Sequence, residues 1–313
     1  MSARAFAILC VLAAALAAIA FLAMPSKPSE KEGAGGLLLA GLSLNDVAAV
    51  TLLDAEKSVS LSRSDGAWRV DGFADLPAEQ GKVRALLLSL SQLTIDEIKT
   101  DDPKLHDAVG LGGSGTTIQL GESLGVILGK DAAGGGRFAR RLNEDQSYVV
   151  SQINPPQTGV KAWLDIDVPT IPAATVTKVD IQSGEERYSV IKGEGGALTM
   201  TGLKEDEALA YDTVLETVIG GAVYIDFEDI AAAGSIDWTG ADSSVFYGAQ
   251  DSDLIRYDVA QADEMYWLRV TPQGTLVPEG DIDWSSYAFA VSEYRKGALV
   301  KQRSELLEAP DPS

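Results

Sequence analysis

Cysteine and histidine are almost missing from this chain of 313 residues, which contains one of each, Cys10 and His106. A lone cysteine cannot form a disulfide within the chain or a cysteine-based metal site, so the core alone must hold the fold. A lone histidine excludes a metal site with two histidine ligands, and we place His106 on the surface of a short helix. Serine hydrolase motifs such as G-x-S-x-G are also missing. The sequence therefore predicts no enzymatic activity, no metal and no cofactor.

Positive charge is scarce as well. The chain has 25 lysine and arginine residues against 46 aspartate and glutamate residues, which gives a formal net charge of -21. Because a phosphate backbone requires a basic surface, this balance argues against nucleic acid as a partner. It also argues against docking onto anionic lipid through basic patches.

The amino terminus carries a long apolar run, in which residues 5–24 are uncharged and follow Arg4. At about 1.5 Å per residue, a helix over this run just spans a hydrocarbon core of roughly 30 Å. A positive residue on the short side places that end in the cytoplasm and the rest of the chain outside. We therefore expect a single-pass anchor over residues 1–24. A cleaved signal peptide, with Ala18 and Ala20 at its cleavage site, is the alternative.

Two stretches of the chain repeat one pattern, behind a linker of proline, glycine, serine and charged residues at 25–40. "VAAVTLLDAEKSVSLSRSDGAWRV" starts at Val47, and "VTKVDIQSGEERYSVIKGEGGALTM" starts at Val176. In each stretch, runs with apolar residues at every second position are joined by polar turns, which is typical of β-hairpins. We predict two modules, over residues 41–170 and 171–310.

An apolar stripe at helical spacing follows the strands of each copy. The stripes consist of Val83, Leu86, Leu87, Leu90 and Leu93 in the first copy and of Ala208, Tyr211, Val214, Leu215 and Val218 in the second. Antiparallel strands that pack on such helices give the α+β class. The sequence therefore predicts two similar α+β modules, preceded by one transmembrane helix.

The two modules differ in charge. Residues 171–313 contain 26 acidic against 10 basic residues, whereas residues 25–170 contain 20 against 14. We expect the acidic surplus to stay on the surface, because unpaired buried carboxylates are costly. This makes the first module the better candidate for contacting a partner.

A literal G-x-G-x-x-G lies in "AVGLGGSGTTIQLG", at Gly110, Gly112 and Gly115. A dinucleotide fingerprint needs a strand before the glycines and a helix that opens on them. Here Asp102 and Pro103 indicate a helical turn before the loop, and strand-like residues follow it. The order is reversed, so we predict a turn and no nucleotide binding.

Three arginines, Arg137, Arg140 and Arg141, are the candidate partner-binding residues. They lie on or beside the returning strand of a predicted hairpin, where they could bind an anionic ligand or partner. The alternative is that these charges protect a strand edge from pairing with other chains.

Acidic clusters and tryptophans offer weaker candidates. Paired carboxylates can bind calcium or hydrolyse glycosides, but these do not have calcium-loop spacing and are typical of a solvated strand face. Tryptophans can stack on sugars, although core packing is the commoner role. The residues concerned are Asp226, Glu228, Asp229, Asp251, Asp253, Asp281 and Asp283, and Trp68, Trp163, Trp238, Trp267 and Trp284.

The order of three short motifs resembles a known family. "DGAWRV" around Trp68 is followed by "DLPAEQGKVRALLLSLSQL" and "LHDAVGL". In this order they are similar to domain-of-unknown-function family 4340, over most of residues 44–307. The second module departs from the pattern, with Ala197 and Leu198 in place of the tryptophan and no clear Gly-Leu turn.

The resemblance implies a bacterial protein of the inner membrane, with the bulk of the chain in the periplasm. It also implies an association with ABC-type transport components of the GldG-like kind, and it supplies no catalytic residues. We therefore expect a non-enzymatic, membrane-tethered protein that binds or scaffolds a membrane partner. The alternative is a ligand-binding module for an envelope polymer or solute that uses the tryptophans and arginines named above.

Overall fold

The computed structural model describes residues 34–239, 241, 243–249, 254–274 and 282–309. The predicted anchor at 1–24 lies outside the described residues, as do Asp251, Asp253 and Asp281 of the acidic clusters. Among the residues that are described, there is no helix of the length and apolar character needed to cross a membrane.

The first sheet has nine strands within the described residues, in the order β4-β3-β2-β1-β6-β7-β8-β9-β5. Burial alternates along them, as expected where one face of a strand meets a core. The strands are β1 (Ala49–Leu53), β2 (Ser58–Ser64), β3 (Ala67–Val70), β4 (Phe73–Pro77), β5 (Ile95–Ile98), β6 (Thr116–Leu120), β7 (Leu124–Asp131), β8 (Arg137–Arg141) and β9 (Ser147–Val150).

The second sheet has eight strands within the described residues, in the order β12-β11-β10-β14-β15-β16-β17-β13. Every residue of its strand β17 is buried, so both faces of that strand are covered. The strands are β10 (Lys178–Ser183), β11 (Glu186–Lys192), β12 (Leu198–Met200), β13 (Asp229–Ala232), β14 (Ser243–Gly248), β15 (Leu254–Ala262), β16 (Met265–Pro272) and β17 (Tyr287–Val291).

The two sheets repeat one strand order, apart from the additional strand β4 in the first. The register repeats too, since Val50 pairs with Leu61 in one sheet and Val179 pairs with Val190 in the other. The third strands also correspond. Trp68 lies opposite Arg63, and Leu198 lies opposite Lys192. The predicted internal repeat therefore has a direct counterpart in two similar sheets.

The helices are few and short, so the fold is mostly β and the predicted α+β class holds only in part. The first helix, α1 (Gln80–Ser91), buries Val83, Leu86, Leu87 and Leu90 as predicted. The other two α-helices among the described residues are α2 (Val214–Ile219) and α3 (Glu293–Leu299).

The second predicted stripe is wrong in its first half, because residues 208–213 are not helical and the helix begins only at Val214. Instead the Ala210 N–H donates to the carbonyl of Leu306, and Leu209 forms a bridge with Leu307. A backbone that bonds a distant segment cannot also form the hydrogen bonds of a helix. Tyr211, which the stripe placed in the core, is 53% exposed.

The chain divides into two compact units. Unit 1 contains the residues up to Asp71 together with Gln80–Thr158, and unit 2 contains Gly72–Glu79 together with the residues from Gly159 onwards. Each unit has a core of its own, with Leu52 and Leu61 fully buried in unit 1 and Tyr257 and Phe289 fully buried in unit 2. The module boundary at residue 170, which came from the repeat, stays a prediction.

Candidate functional site

The glycine loop is a turn between two other elements, in the order that the sequence predicts. A 3-10 helix at Asp107–Val109 ends at Gly110, whose φ of 75° favours glycine. A side-chain carbon on Gly115 would lie 2.6 Å from the carbonyl oxygen of Gly110, so the backbone leaves room only for glycine there. Strand β6 follows the loop, and no helix opens on it. Packing accounts for these glycines, and nucleotide binding has no support from the geometry.

Arg137 is buried and its charge is paired. Its Nη2 lies 2.6 Å from a carboxylate oxygen of Asp131, and its Nε donates to the carbonyl of Ile153 at 2.8 Å. All three arginines belong to strand β8, which lies between β7 and β9 and is not an edge of the sheet. The interpretation of these arginines as guards of a strand edge is therefore wrong.

Arg140 and Arg141 also bond groups of their own chain. Arg140 donates to the carbonyls of Leu111 and Glu144, at 3.2 and 3.0 Å. Arg141 donates to the carbonyl of Leu38 at 2.7 Å and to the carboxylate of Glu144 at 3.0 Å. Partner binding by Arg137, Arg140 and Arg141 stays a prediction, but much of their donor capacity serves the fold of unit 1.

The prediction that His106 lies on the surface is wrong. Its side chain is buried, with its Nε2 at 2.9 Å from the carbonyl of Asp145. The 3-10 turns on both sides of His106 fold the ring inward, so it has a structural role in unit 1.

Most of the tryptophans pack in cores. As predicted, Trp68 and Trp267 are buried, and so are Trp163 and Trp284, while the Trp238 indole N–H donates to the carbonyl of Ala233 at 2.7 Å. In the part of the chain that the structure describes, no group of three or more histidine, cysteine, aspartate or glutamate residues could hold a metal ion. Although it is buried, Trp68 also lines a cavity.

The Trp68 cleft is a cavity of about 300 Å³ in unit 1. A tight β2–β3 hairpin forms one wall, with Asp65 and Gly66 both at positive φ, which is the two-residue turn that suits the twist of a hairpin. The first two turns of helix α1 form the other wall. The lining side chains are Leu44, Asn45, Arg63, Gly66, Trp68, Gln80, Arg84 and Leu87.

Gln80 fixes the two walls of the Trp68 cleft to one another. Its side-chain oxygen accepts a hydrogen bond from the Trp68 N–H at 2.8 Å, and its side-chain nitrogen donates to the Trp68 carbonyl at 2.8 Å. The amide thus pairs with the backbone of strand β3 as a neighbouring strand would. Because both bonds come from the first residue of α1, the helix start is tied to the sheet.

Two arginines give the Trp68 cleft its charge. Val59, Leu61 and Arg63 alternate along β2 and therefore point to the same face of the sheet. Val59 and Leu61 are buried, whereas Arg63 lies near the end of the strand and is exposed. Arg84 lies one turn after Gln80 in α1, on the side that lines the cleft. Neither guanidinium forms a hydrogen bond or an ion pair with any residue that the structure describes. Uncommitted guanidinium groups at one cavity can bind a carboxylate or a phosphate in a bidentate manner.

Sequence reasoning named Trp68 but not Arg63 or Arg84. A signal for Arg63 was present, since an arginine at a core-facing position of a strand is unusual. The convergence of Arg63 and Arg84 depends on how α1 packs on the hairpin, which no local pattern encodes.

Unit 2 has a cavity of different chemistry, at a different place in the repeat from the Trp68 cleft. A cavity of about 350 Å³ is lined by Asp180, Arg187, Ser189, Thr201 and Phe246, among others. Here the Ser189 hydroxyl donates to the carboxylate of Asp180 at 2.5 Å. Burial raises the pKa of the adjacent Tyr188 well above its ordinary value of 10.0, so its phenol stays neutral. This cavity contains an acid beside its arginine, whereas the Trp68 cleft has two arginines and no acid.

A family model described as Domain of unknown function (DUF4340) matches residues 68–242, which is more than half of the chain. The chain belongs to this family. The matched region begins at Trp68, on the third strand of the first sheet, and includes helix α1, whereas Arg63 on β2 lies before it. Neither a search of curated proteins nor a search of solved structures gave a match.

Proposed function

We propose that this family member is a membrane-tethered, extracytoplasmic and non-enzymatic binding protein that is accessory to an ABC-type transport system in a bacterial inner membrane. The apolar run at residues 5–24 behind Arg4 supports the tether and its orientation. The resemblance that introduced the family supports the transport context.

The Trp68 cleft is the observation that carries the binding role. Arg63 and Arg84 supply two forked guanidinium groups, and Trp68 and Leu87 supply an apolar wall. Arg–carboxylate pairs are stronger than neutral hydrogen bonds because both partners are charged. We propose that the cleft takes a carboxylate-bearing segment of the membrane partner.

The same side chains favour binding over catalysis. Arginine stays protonated at all physiological pH values, so it cannot accept a proton from a substrate. The other polar side chains of the cleft, Asn45 and Gln80, are amides, which do not titrate. The cleft is therefore suited to hold an anion and offers no group for proton transfer.

The test is co-purification from detergent-solubilised membranes of the cells that make the protein. Transport subunits should be recovered with the wild-type chain, and recovery should fall at least about tenfold with Arg63→Ala/Arg84→Ala, since hydrogen bonds to charged groups contribute about 1.5–3 kcal/mol each. Arg187→Ala, at an exposed arginine of unit 2, is the matched control and should change nothing. Equal recovery with both variants would contradict the proposal.

A lysine version of the same variant tests the geometry. Arg63→Lys/Arg84→Lys keeps both charges but loses the planar forks, so recovery should fall between those of the wild type and the alanine variant. Full recovery with lysine would show that charge alone attracts the partner.

The alternative function is a ligand-binding module for an envelope polymer or solute. The volume of the Trp68 cleft, about 300 Å³, favours this reading, because it lies at the lower end of the range for small-molecule sites. Recovery of a glycan or solute, in place of transport subunits, in the same co-purification would establish it.

The anchor has a separate test. If residues 5–24 span the membrane uncleaved, the mature protein should begin at Met1 or Ser2 and should fractionate with membranes. A soluble mature protein that begins at Phe21 would identify a cleaved signal peptide instead.

A further inference from the structure

Unit 2 exposes two tyrosine rings beside one arginine. Tyr224 is 63% exposed, in the segment that follows α2, and Tyr294 is 80% exposed, on α3. The guanidinium carbon of Arg295 lies 5.1 Å from the centre of the Tyr224 ring and 5.9 Å from the centre of the Tyr294 ring. We refer to Tyr224, Tyr294 and Arg295 as the tyrosine platform.

The tyrosine platform is held in place from below. Arg295 Nε lies 3.2 Å from a carboxylate oxygen of Asp226, and the Arg295 side chain is only 13% exposed. The chain before Tyr224 packs closely on α3, since a side-chain carbon on Gly221 would lie 2.5 Å from the carbonyl oxygen of Ala298. A surface that is already ordered loses little conformational freedom when a partner binds.

We propose that the tyrosine platform is a docking surface for a partner protein that presents a basic surface. Tyrosine and arginine are the residue types enriched at the energetic centres of protein interfaces. The charge of the partner follows from the segments that carry the platform, residues 222–228 and 292–297, in which three acids stand against Arg295 and Lys296. Asp226, Glu228 and Glu293 are all exposed.

The geometry favours a protein over a glycan. A sugar ring uses chiefly a flat aromatic face, and Arg295 already lies over one face of each tyrosine ring, whereas a protein can also use the ring edges and hydroxyl groups. What remains free is the outer face and edge of each ring with its hydroxyl group, which suits side chains that approach from several directions.

Charge also disfavours a second copy of this chain. Residues 171–313 have 26 acidic against 10 basic residues, so two platforms brought together would repel one another. The occupant with complementary charge is a protein surface rich in lysine or arginine.

This surface is independent of the Trp68 cleft, which takes an acidic group. It lies on the second module, which the sequence predicts to be the weaker candidate for partner contact because of its acidic surplus. Two sites of opposite preference would allow the chain to contact two different surfaces at once, as a scaffold must.

The experiment is site-specific photo-crosslinking with full-length protein in the cells that make it. A benzoylphenylalanine is placed at Tyr294 or, as the matched control, at Tyr211, another exposed tyrosine of unit 2. Position 294 should give a protein adduct, and the crosslinked peptide, read by mass spectrometry, should lie on a surface of net positive charge. Position 211 should not give this adduct.

The captured protein, once purified, is the probe for the affinity test. Tyr224→Ala/Tyr294→Ala should weaken its binding by about 30-fold, which corresponds to about 2 kcal/mol at tenfold per 1.4 kcal/mol. Tyr211→Ala should stay within about twofold of the wild type, and added salt should weaken binding because the surfaces have opposite charge.

Four outcomes would overturn the proposal: an adduct with a second copy of the chain, an adduct with a glycan, a crosslinked peptide on an acidic surface, or no adduct at position 294. Arg63→Ala/Arg84→Ala should leave the adduct at position 294 unchanged. Loss of the Trp68-cleft function is therefore distinguishable from loss of this contact.

Discussion

Unit 1 and unit 2 share a strand order, but they treat a matched arginine differently. In the first sheet Arg140 pairs with Ile127, and in the second sheet Arg269 pairs with Asp258. Arg140 bonds backbone carbonyls, whereas Arg269 lies 3.0 Å from a carboxylate oxygen of Asp258, which is 2% exposed. At the same place in the same topology, one guanidinium therefore donates to backbone carbonyls and the other pairs with a buried carboxylate.

The beginnings of the matched helices differ as well. Helix α1 has 12 residues and ties its start to Trp68 through Gln80, whereas α2 has 6 residues. Leu198 occupies the position of Trp68 in the repeat, and no side chain among the described residues bonds its backbone. A fixed helix start holds the two walls of the Trp68 cleft in unit 1, and unit 2 has no such side-chain clamp at Leu198 among the described residues.

The largest effect should come from the helix that the repeat predicts correctly. Leu87→Ala removes a buried side chain from α1 and should lower the free energy of unfolding by about 2–5 kcal/mol. Leu215→Ala in α2, also buried, should lie in the same range if packing rather than helix length sets the cost.

Urea denaturation measures both changes, and Leu88→Ala is the control. Leu88 is 45% exposed on the same helix, so its truncation should be nearly neutral. Equal losses for Leu87→Ala and Leu88→Ala would show that α1 does not face its sheet in solution.

The next largest loss of stability should come from Asp258, the buried partner of Arg269. Asp258→Asn should lower the free energy of unfolding by about 3 kcal/mol, because it leaves Arg256 and Arg269 without their buried counter-charge. The value lies at the low end for broken buried pairs, since the two arginine side chains are 40% and 29% exposed and can be hydrated in part.

The contrast with unit 1 sharpens this prediction. Ile127→Val should cost only about 1 kcal/mol, because it removes one methylene and no charge. Glu216→Gln, at an exposed acid of unit 2, should stay within about 0.5 kcal/mol of the wild type. If Asp258→Asn is as mild as Glu216→Gln, the buried ion pairs do not stabilise the second sheet.

Local patterns predicted the hairpins and α1 well. The period-two runs around Val59 and Tyr188 lie in strands whose partners match at a constant offset. Each of these elements is formed by residues that are neighbours in sequence, so periodicity alone carries the information.

The errors came from contacts between distant segments. The backbone around Ala210 bonds the segment at Leu306, which removes half of the predicted second helix. His106 is turned inward against Asp145. The same limit applies to the sites, because Tyr224 and Arg295 meet only when α3 packs beside the end of α2.

The Gln80 clamp should have a smaller effect than the core positions. Gln80→Ala leaves the N–H and carbonyl of Trp68 without their side-chain partners and should cost about 1–2 kcal/mol, at about 1 kcal/mol for each bond. It should also weaken partner recovery, because α1 is then free to shift against Trp68.

Gln119→Ala is the matched control for this clamp. Gln119 makes one exposed hydrogen bond to the carbonyl of Gly121, at 3.0 Å, so its loss should be nearly neutral. If the two variants are equally stable by thermal denaturation, the side-chain amide of Gln80 does not tie the helix to the sheet.

The smallest expected effect concerns Asp54, on the loop between β1 and β2. The Thr158 hydroxyl donates to its carboxylate at 2.5 Å, and the N–H groups of Glu56 and Lys57 donate at 2.8 and 2.9 Å. These bonds, the hydroxyl first, hold the pKa of Asp54 below its ordinary value of 3.8. The stabilisation is therefore complete above that value and is lost as the pH falls through the lower folded pKa.

Thr158→Val removes the hydroxyl and keeps the shape of the side chain. The pKa of Asp54 should rise toward its ordinary value but stay below it, because the two backbone donors remain. Carbon-detected NMR titration of the Asp54 carboxyl group measures the change. Thr175→Val, which removes a hydroxyl bonded to the carbonyl of Pro172 in unit 2, should leave this pKa unaltered. An Asp54 pKa that is the same in Thr158→Val and in the wild type would assign the shift to the loop backbone alone.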